Sequence, residues 1–416
     1  MTEPITLQAC QARDAADPLR GLRDHFTLPP GVIYLDGNSL GVLPRAAAGR
    51  IADVVTREWG QDLIQSWNSA NWFDLPQRLG DQLAPLIGAR AGEVVCTDST
   101  SINLYKVLSA ALNIARADAP GRRRIVSERS NFPTDLYIAE GLCKERGLEL
   151  VLVEPEQIGA ALTPEVAVLM LTHVNYRTGA MHDMAAVTAQ AHAAGILCVW
   201  DLAHSAGALH VELNDANADF AVGCGYKYLN GGPGAPAFVY VAQRHLEQVR
   251  QPLSGWHGHQ KPFDFVQQYL PAPGINRMQC GTPPLLSMLA LDAALDVFDG
   301  VDMQQLRNKS KALGDLFIRL VDEQLSEYGF GIGSPRDCNQ RGSQVALTHP
   351  QGYAIVQALI ARGITGDFRM PDILRFGFAP LYVRYIDVHH TVDTLQQIMA
   401  SGEWNQEKFL TKKAVT

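Results

Sequence analysis

The chain has 416 residues, of which 47% are hydrophobic and 19% charged, and its formal net charge is −8 at pH 7. This length exceeds that of one compact core and predicts two domains, while the composition is typical of a globular protein. The negative charge excludes a general nucleic-acid binder, because no basic surface is available to neutralise phosphates. We therefore expect no nucleic-acid partner.

The cysteines and the N-terminus indicate the compartment. Seven cysteines are scattered along the chain, mostly within apolar segments. This pattern predicts reduced thiols in a cytoplasmic protein and no disulfide framework. The N-terminal Met-Thr-Glu-Pro lacks the basic and apolar regions of a signal peptide, and no segment reaches the length of a membrane span. We expect no membrane partner.

Short apolar segments alternate with helical patterns through the middle of the chain. The predicted strands are 94–97, 124–127, 150–153, 166–172, 196–201, 219–223 and 236–241, with predicted helices at 102–115, 134–146 and 184–194. Continuous apolar strands joined by helices predict an α/β domain with a mainly parallel, seven-stranded sheet covered on both faces. Ligands of such domains bind beyond the carboxyl ends of the strands.

The pattern changes after about residue 290. Two strands are predicted in this part, between and beside helices, which is typical of a smaller α+β domain: helices 303–325, 353–362 and 388–400, and strands 344–348 and 373–378. We predict an N-terminal segment, 1–45, that packs with the small domain. The large domain is predicted to span 46–290, and the small domain 291–416.

Two polar residues follow predicted strands of the large domain. Asp201 ends the apolar segment 196–201, and Lys227 comes shortly after the segment 219–223, just before a glycine-rich turn. Enzymes that use pyridoxal phosphate (PLP) need such a pair, because a lysine holds the cofactor as a Schiff base and a carboxylate keeps the pyridine nitrogen protonated. The alternative is a solvated lysine after a core strand.

A phosphate-binding turn is predicted at the start of the helix near residue 102. Thr100 and Ser101 would offer hydroxyl and backbone N–H donors there. The alternative is a simple helix cap, since Ser and Thr are favoured at that position. No metal site is predicted, because the pair of histidines in Trp256-His-Gly-His259 has no nearby carboxylate or thiol in the sequence.

Several motifs between about residues 34 and 380 together resemble the kynureninase family, whose members are PLP enzymes of fold type I. These motifs are Tyr34-Leu-Asp-Gly-Asn-Ser-Leu-Gly41, Phe132-Pro-Thr-Asp135, Thr172-His-Val-Asn-Tyr176, Asp201-Leu-Ala-His204 and Gly225-Tyr-Lys-Tyr-Leu-Asn-Gly-Gly-Pro-Gly234. The resemblance implies the fold of PLP-dependent transferases and hydrolysis of the Cβ–Cγ bond of L-kynurenine, or of its 3-hydroxy form. The products would be anthranilate, or 3-hydroxyanthranilate, and L-alanine.

The resemblance also implies a role for each site residue. Lys227 forms the Schiff base and moves the Cα proton, while Asp201 pairs with the pyridine nitrogen. The resemblance places Tyr226 at the phosphate. From this position we predict that Tyr226 protonates the product carbon; the alternative is that it only supports the phosphate. Further cofactor contacts are implied for Thr100, Ser101, Phe132, Asp135, Thr172, His204, Trp256 and Thr282. Arg375 would bind the substrate α-carboxylate, and Ser39 and Trp67 would also contact the substrate. The implied assembly is a homodimer with shared sites, in which Thr282 completes the pocket of the second subunit.

Other PLP-fold functions stay open at this point. A cysteine desulfurase or selenocysteine lyase would have a histidine before the lysine, where this chain has Tyr226, and a reactive cysteine in a mobile loop, where Cys338 is a candidate. An aminotransferase fits the N-terminal and post-lysine motifs less well. A non-catalytic regulator with a PLP fold is disfavoured, because both Lys227 and Asp201 are present.

Overall fold

The computed structural model describes residues 5–412, which belong to two compact units. The small unit comprises Met1–Arg45, Tyr176–Met181 and Val297–Thr416, and the large unit comprises Ala46–Asn175 and His182–Asp296. Residues 1–4, the N-terminal Met-Thr-Glu-Pro, and residues 413–416 lie outside the described part. The domain limits at residues 45 and 290 stay a prediction.

The strands of the described chain are short, and most lie close to the apolar segments of the sequence. In chain order they are β1 (Ile33–Tyr34), β2 (Val94–Cys96), β3 (Arg124–Glu128), β4 (Glu149–Val153), β5 (Val166–Thr172), β6 (Leu197–Asp201), β7 (Phe220–Cys224), β8 (Ala237–Val241), β9 (Gly331–Ile332), β10 (Gln344–Thr348), β11 (Ile364–Thr365), β12 (Asp367–Arg369) and β13 (Ile373–Gly377).

The helices vary from one turn to 22 residues. The α-helices are α1 (Leu7–Ala16), α2 (Arg45–Asp53), α3 (Ser66–Ser69), α4 (Leu75–Leu83), α5 (Thr100–Asp118), α6 (Pro133–Arg146), α7 (Ile158–Ala161), α8 (Met184–Ala193), α9 (Leu285–Leu295), α10 (Met303–Gln324), α11 (Gly352–Ala361), α12 (Tyr385–Ser401) and α13 (Glu407–Leu410). A π-helical segment, Val54–Trp59, continues α2. Short 3-10 helices occupy Arg20–His25, Leu63–Gln65, Ala84–Ile87, Pro155–Gln157, Gln243–His245, Trp256–Gly258, Gly274–Met278, Asp296–Phe298, Ser326–Tyr328 and Glu403–Asn405.

The large unit contains a seven-stranded sheet with the order β2-β8-β7-β6-β5-β3-β4. The strands from β7 to β4 pair in parallel, whereas β8 is antiparallel to both of its neighbours. Each residue of β5, β7 and β8 is buried, as expected for strands covered on both faces. The predicted mainly parallel sheet of seven strands is therefore confirmed.

One face of this sheet packs against α5, the longest helix of the large unit. Ser99 caps the helix by accepting a hydrogen bond from the backbone N–H of Ile102, at 3.4 Å. Leu104, Val107 and Leu108 on this helix join a core that includes residues of β5 and β7. The contact fixes the N-terminus of α5 relative to the sheet.

The small unit contains an antiparallel sheet of order β12-β13-β10-β9 and a parallel pair, β1-β11. The helices α10 and α12 pack against each other, and α1 packs on α12. The predictions at 344–348 and 373–378 match β10 and β13. The strands β1, β9, β11 and β12 were not predicted, because two or three residues are too few to show an alternating pattern.

Two further properties of the described chain bear on its environment. None of its helices combines the length and the apolar character needed to cross a bilayer. All seven cysteines are unpaired; five are buried, whereas Cys280 and Cys338 are partly exposed.

Candidate active site

Lys227 lies within a turn whose path depends on glycine. Gly225 follows β7, and a Cβ atom on this residue would lie 2.4 Å from the carbonyl oxygen of Pro236. The backbone N–H of Gly231 donates to the carbonyl of Gly225 at 2.9 Å and closes the turn. Since a side chain at residue 225 would force the strands apart, the glycine fixes where Lys227 leaves the sheet.

The side chain of Lys227 is half-buried among polar and aromatic groups. Its Nζ atom lies 3.1 Å from Nε2 of His204. The same atom is 5.9 Å from the ring centroid of Phe132 and 5.7 Å from that of Tyr226. Phe132 has 39% of its surface exposed, and its stacking on the cofactor ring stays a prediction. The structure thus brings together four of the residues that the sequence predicts at the site.

Asp201 and Thr172 end neighbouring parallel strands. They pair directly across β5 and β6, which places both side chains at the carboxyl edge of the sheet. The Oδ1 atom of Asp201 accepts the backbone N–H of Ala203 at 2.7 Å. The hydroxyl of Thr172 donates a short hydrogen bond to the side-chain carbonyl oxygen of Asn131. Ligands of this class of sheet bind at such an edge.

Asp135, in the first turn of α6, is hydrogen-bonded to Asp201. Burial raises the pKa of Asp201, while Lys227 opposes the shift. Burial and the Asp201 carboxylate raise the pKa of Asp135 well above its usual range. The Oδ2 atom of Asp135 is buried and has no hydrogen-bond partner in the described chain. A buried acid pair with an unused acceptor is stabilised by a cationic N–H donor, so these residues fit the protonated pyridine nitrogen of PLP.

The N-terminus of α5 borders a cavity of about 360 Å³. Thr100 and Tyr226 both line this cavity, with Ser99 and Gly234. Ser101 follows in the first turn of the helix, where backbone N–H groups have no partner within the helix. Free N–H groups and hydroxyls beside a cavity suit a phosphate dianion. The phosphate roles of Thr100, Ser101 and Tyr226 stay predictions that this geometry supports.

Trp67 and Trp256 belong to one aromatic cluster. Their ring centroids are 5.9 Å apart, and both line a cavity of about 500 Å³ with Phe263 and Phe265. The ring of Trp256 contacts other aromatic rings. Its role at the phosphate stays a prediction. Thr282 is exposed on the surface of the large unit, and its role at the pocket stays a prediction.

In the small unit, Arg375 is hydrogen-bonded to Ser39. Nη2 of Arg375 donates to the Ser39 hydroxyl at 2.9 Å. Arg375 lies on β13 and is almost fully buried, with 2% of its surface exposed. It also forms an ion pair with Asp367 on β12. The sequence predicted Arg375 and Ser39 but not their acidic partner, because Asp367 lies in a strand of three residues.

Sequence reasoning also missed a polar group at the carboxyl end of β3. Glu128 accepts from Nε2 of His182 at 2.7 Å and from the side-chain amide of Asn175 at 3.2 Å. Asn131, which binds Thr172, donates to the hydroxyl of Ser127 at 3.1 Å. These residues hold the turn that carries Phe132. The polar segment that follows the predicted strand 124–127 was the available signal.

Comparison with known proteins gives the family. The C-terminal domain model of kynureninase matches residues 306–395. A kynureninase from Burkholderia pseudomallei is 56% identical over 414 residues, covering 99% of this chain and 100% of the relative. A kynureninase from Pseudomonas fluorescens is 54% identical over the same share of both chains. The chain belongs to the kynureninase family. The resemblance predicted from the sequence motifs is therefore confirmed.

Solved structures of more distant proteins show the fold. A cysteine desulfurase from Escherichia coli superposes with a TM-score of 0.76 at 20% identity, covering 92% of this chain and 98% of its own. A cystine C–S lyase variant with glycine covalently linked to its PLP cofactor has a TM-score of 0.78 at 18% identity, covering 90% and 98%. At these identities the match supports the fold alone, and it confirms the predicted PLP-dependent fold.

Proposed function

We propose that the protein is a PLP-dependent hydrolase that cleaves the Cβ–Cγ bond of L-kynurenine and releases anthranilate and L-alanine. The observation that carries this proposal is the buried pair Asp135–Asp201 near Lys227, in a chain more than half identical to full-length kynureninases. We propose 3-hydroxy-L-kynurenine as a second substrate of the protein.

Bound PLP would supply an electron-accepting ring that makes the bonds at Cα and Cβ of the amino acid labile. Lys227 would hold the cofactor and then move the Cα proton. Asp201, with Asp135, would accept the hydrogen bond of the pyridine nitrogen and keep it cationic. Thr172 and His204 would contact the polar edge of the ring, and Phe132 would stack on its face.

Tyr226 is the proposed proton donor to the product carbon. Burial, then Cys224 and Asp201, raise the pKa of the Tyr226 phenol, so the hydroxyl keeps its proton at neutral pH. It lines the cavity at the N-terminus of α5, where Thr100 and Ser101 would bind the phosphate. A protonated phenol beside the reacting groups is suited to general acid catalysis.

Arg375 would bind the α-carboxylate of the substrate, with Ser39 beside it. An arginine suits this role because its planar donors match a carboxylate. Trp67 would contact the aromatic ring of the substrate, which the aromatic lining of its cavity supports. Trp256 would complete the phosphate site.

A homodimer with shared sites is part of the proposal. Thr282 is exposed, and large apolar side chains nearby in sequence are exposed as well, including Phe263 at 63% and Phe265 at 81%. Exposed apolar residues of this size are typical of interfaces. Sedimentation equilibrium should give twice the mass of the chain, 45.4 kDa. We also propose a cytoplasmic location, which the seven unpaired cysteines support.

The decisive assay incubates the PLP-loaded protein with L-kynurenine and follows anthranilate fluorescence together with L-alanine. Parallel reactions with 3-hydroxy-L-kynurenine give the ratio of kcat/KM for the two substrates. L-Cysteine with sulfide detection tests the desulfurase alternative. Sulfide release without anthranilate would refute the proposal.

A further inference from the structure

Arg375 is held by a network that fills most of its hydrogen-bonding capacity. Its Nε and Nη2 atoms donate to the two carboxylate oxygens of Asp367, with Nε–Oδ1 at 2.9 Å. Nη2 also donates to Ser39 Oγ at 2.9 Å, and Nη1 donates to the carbonyl oxygen of Tyr176 at 2.5 Å. After reorientation of its amide, Asn38 also accepts from Nε at 2.7 Å.

These contacts limit what Arg375 alone can offer a ligand. A guanidinium has five N–H donors. One bond from Nε, two from Nη2 and one from Nη1 leave a single N–H, on Nη1. Bidentate binding of a carboxylate requires two donors. A second donor from another residue must therefore contribute if the network around Arg375 stays intact.

Arg369 is the cation that shares the network. Its Nη2 atom lies 2.8 Å from Oδ2 of Asp367, the oxygen that also accepts from Arg375. Its side chain is 37% exposed, whereas that of Arg375 is 2% exposed. Burial and then the neighbouring Arg375 lower the pKa of Arg369, as expected for two cations held close together. Asp367 therefore joins one buried and one accessible arginine.

The charges of the network favour an added anion. Asp36 is hydrogen-bonded to Ser39 and faces Asp367, Arg375, Arg369 and the phenol of Tyr34. Burial and then Asp367 raise the pKa of Asp36 to about 7. Below this pH, two arginines face one ionised aspartate, so the network carries an excess of one positive charge.

We propose that Arg369 is a second substrate-binding residue and that Asp367 is a positioning residue, which holds Arg369 and Arg375 together so that both arginines bind the α-carboxylate of the amino acid. The proposal rests on the proposed role of Arg375. It extends the site to two residues of β12, a strand that the sequence did not predict.

The test measures preference for a carboxylate over a carboxamide. L-Alanine and L-alaninamide are titrated into the holoenzyme, and binding is followed by the change in the visible absorption of the cofactor. Arg369→Gln should weaken L-alanine binding and raise KM for L-kynurenine about 10- to 100-fold, the effect of one lost charge-assisted hydrogen bond. L-Alaninamide binding and kcat should change much less.

Arg362→Gln is the matched control. Arg362 lies in the same unit, its side chain is 32% exposed, and it pairs with Glu403. This variant should keep the wild-type preference. Asp367→Asn should lose the preference as Arg369→Gln does, while the cofactor absorption and the melting temperature show that the variant is folded. Arg369→Lys, which keeps the charge, should restore part of it.

Ionisation of Asp36 gives a second readout. Since an ionised Asp36 cancels the excess positive charge, the preference for L-alanine should fall as the pH rises through about 7. In Asp36→Asn this fall should be absent.

An unchanged preference for L-alanine in Arg369→Gln would overturn the proposal, because Arg375 would then suffice. Equal weakening of both ligands would also overturn it, since that result indicates a merely structural role. If the wild-type protein releases no anthranilate but prefers the carboxylate, and Arg369→Gln loses this preference, the proposed reaction fails and the arginine pair stands.

Discussion

Two buried aspartates, one at the carboxyl edge and one at the amino edge of the seven-stranded sheet, have carboxyl pKa values that shift in opposite directions. Asp201 ends β6, and Asp219 immediately precedes β7; their exposed fractions are 4% and 1%. Asp201 accepts one backbone N–H and faces a second acid, and burial raises its pKa. Burial alone would raise the pKa of Asp219 as well, but hydrogen bonds from His192, His245 and the N–H of Cys198 outweigh it and lower the pKa.

The contrast shows that hydrogen-bond donors, and not burial, set the direction of the pKa shift at these two aspartates. The two oxygens of Asp219 receive four donors, including Arg244 at 2.6 Å. Such a carboxylate is stable without any ligand. The pair Asp135–Asp201 retains an unused buried acceptor, which favours the binding of a cationic group. The predictions below test this distinction.

The largest effect is expected at Lys227. Lys227→Ala should abolish turnover and remove the visible absorption of the Schiff base, because no other amine is held at this position. Lys144→Ala, on the exposed surface of α6, is the control and should behave as wild type. Retained kcat in Lys227→Ala would exclude the proposed role.

Asp201→Asn should lower kcat by about three orders of magnitude, which corresponds to roughly 4 kcal/mol of lost electrostatic stabilisation. The cofactor-free variant should unfold at the wild-type temperature or above it, because the substitution removes a buried charge. Steady-state kinetics and thermal unfolding measure the two effects. A large loss of stability with little loss of kcat would make Asp201 a structural residue.

Asp219→Asn should have the reverse effect, with a loss of stability and little change in kcat. It should lower the free energy of unfolding by about 3–5 kcal/mol, since the neighbouring cationic and imidazole donors lose their anion. The kcat value, measured well below the unfolding temperature, should stay within a few-fold of wild type. Urea unfolding followed by circular dichroism gives the free energy. Stability equal to wild type would contradict the structural role of Asp219.

The smallest effect is expected in the pH dependence of the stability difference between wild type and Asp219→Asn. The pKa of Asp219 is lowered in the folded protein, so its contribution is complete above the unfolded value of about 4 and is lost as the pH falls further. The gap in unfolding free energy between wild type and Asp219→Asn should therefore narrow below about pH 4. A constant gap would assign the stabilisation to packing.

The sequence predicted those parts of the site that depend on strand ends. Thr172 and Asp201 were found because parallel, apolar strands end at a common edge, and the prediction 166–172 matches β5. The turn around Lys227 was found because its glycines and motif are contiguous. In both cases the necessary information lies within a few residues of sequence.

Contacts between distant residues were not predictable in the same way. Asp135 was placed near the cofactor by family resemblance, but its bond to Asp201 joins residues of α6 and β6 that are far apart in the sequence. Asp367 and Arg369 lie on a three-residue strand with no alternating pattern. The hydrogen bonds of Asp219 were not predicted, because its donors come from α8, β6 and the turn after β8.

The distribution of the cysteines has a practical consequence. The two partly exposed thiols belong to different units, Cys280 to the large unit and Cys338 to the small one, while five others are shielded from reagents. Maleimide dyes or spin labels should therefore attach at one site in each unit without any engineered mutation. Energy transfer or pulsed electron resonance between them would then follow inter-unit distances during turnover.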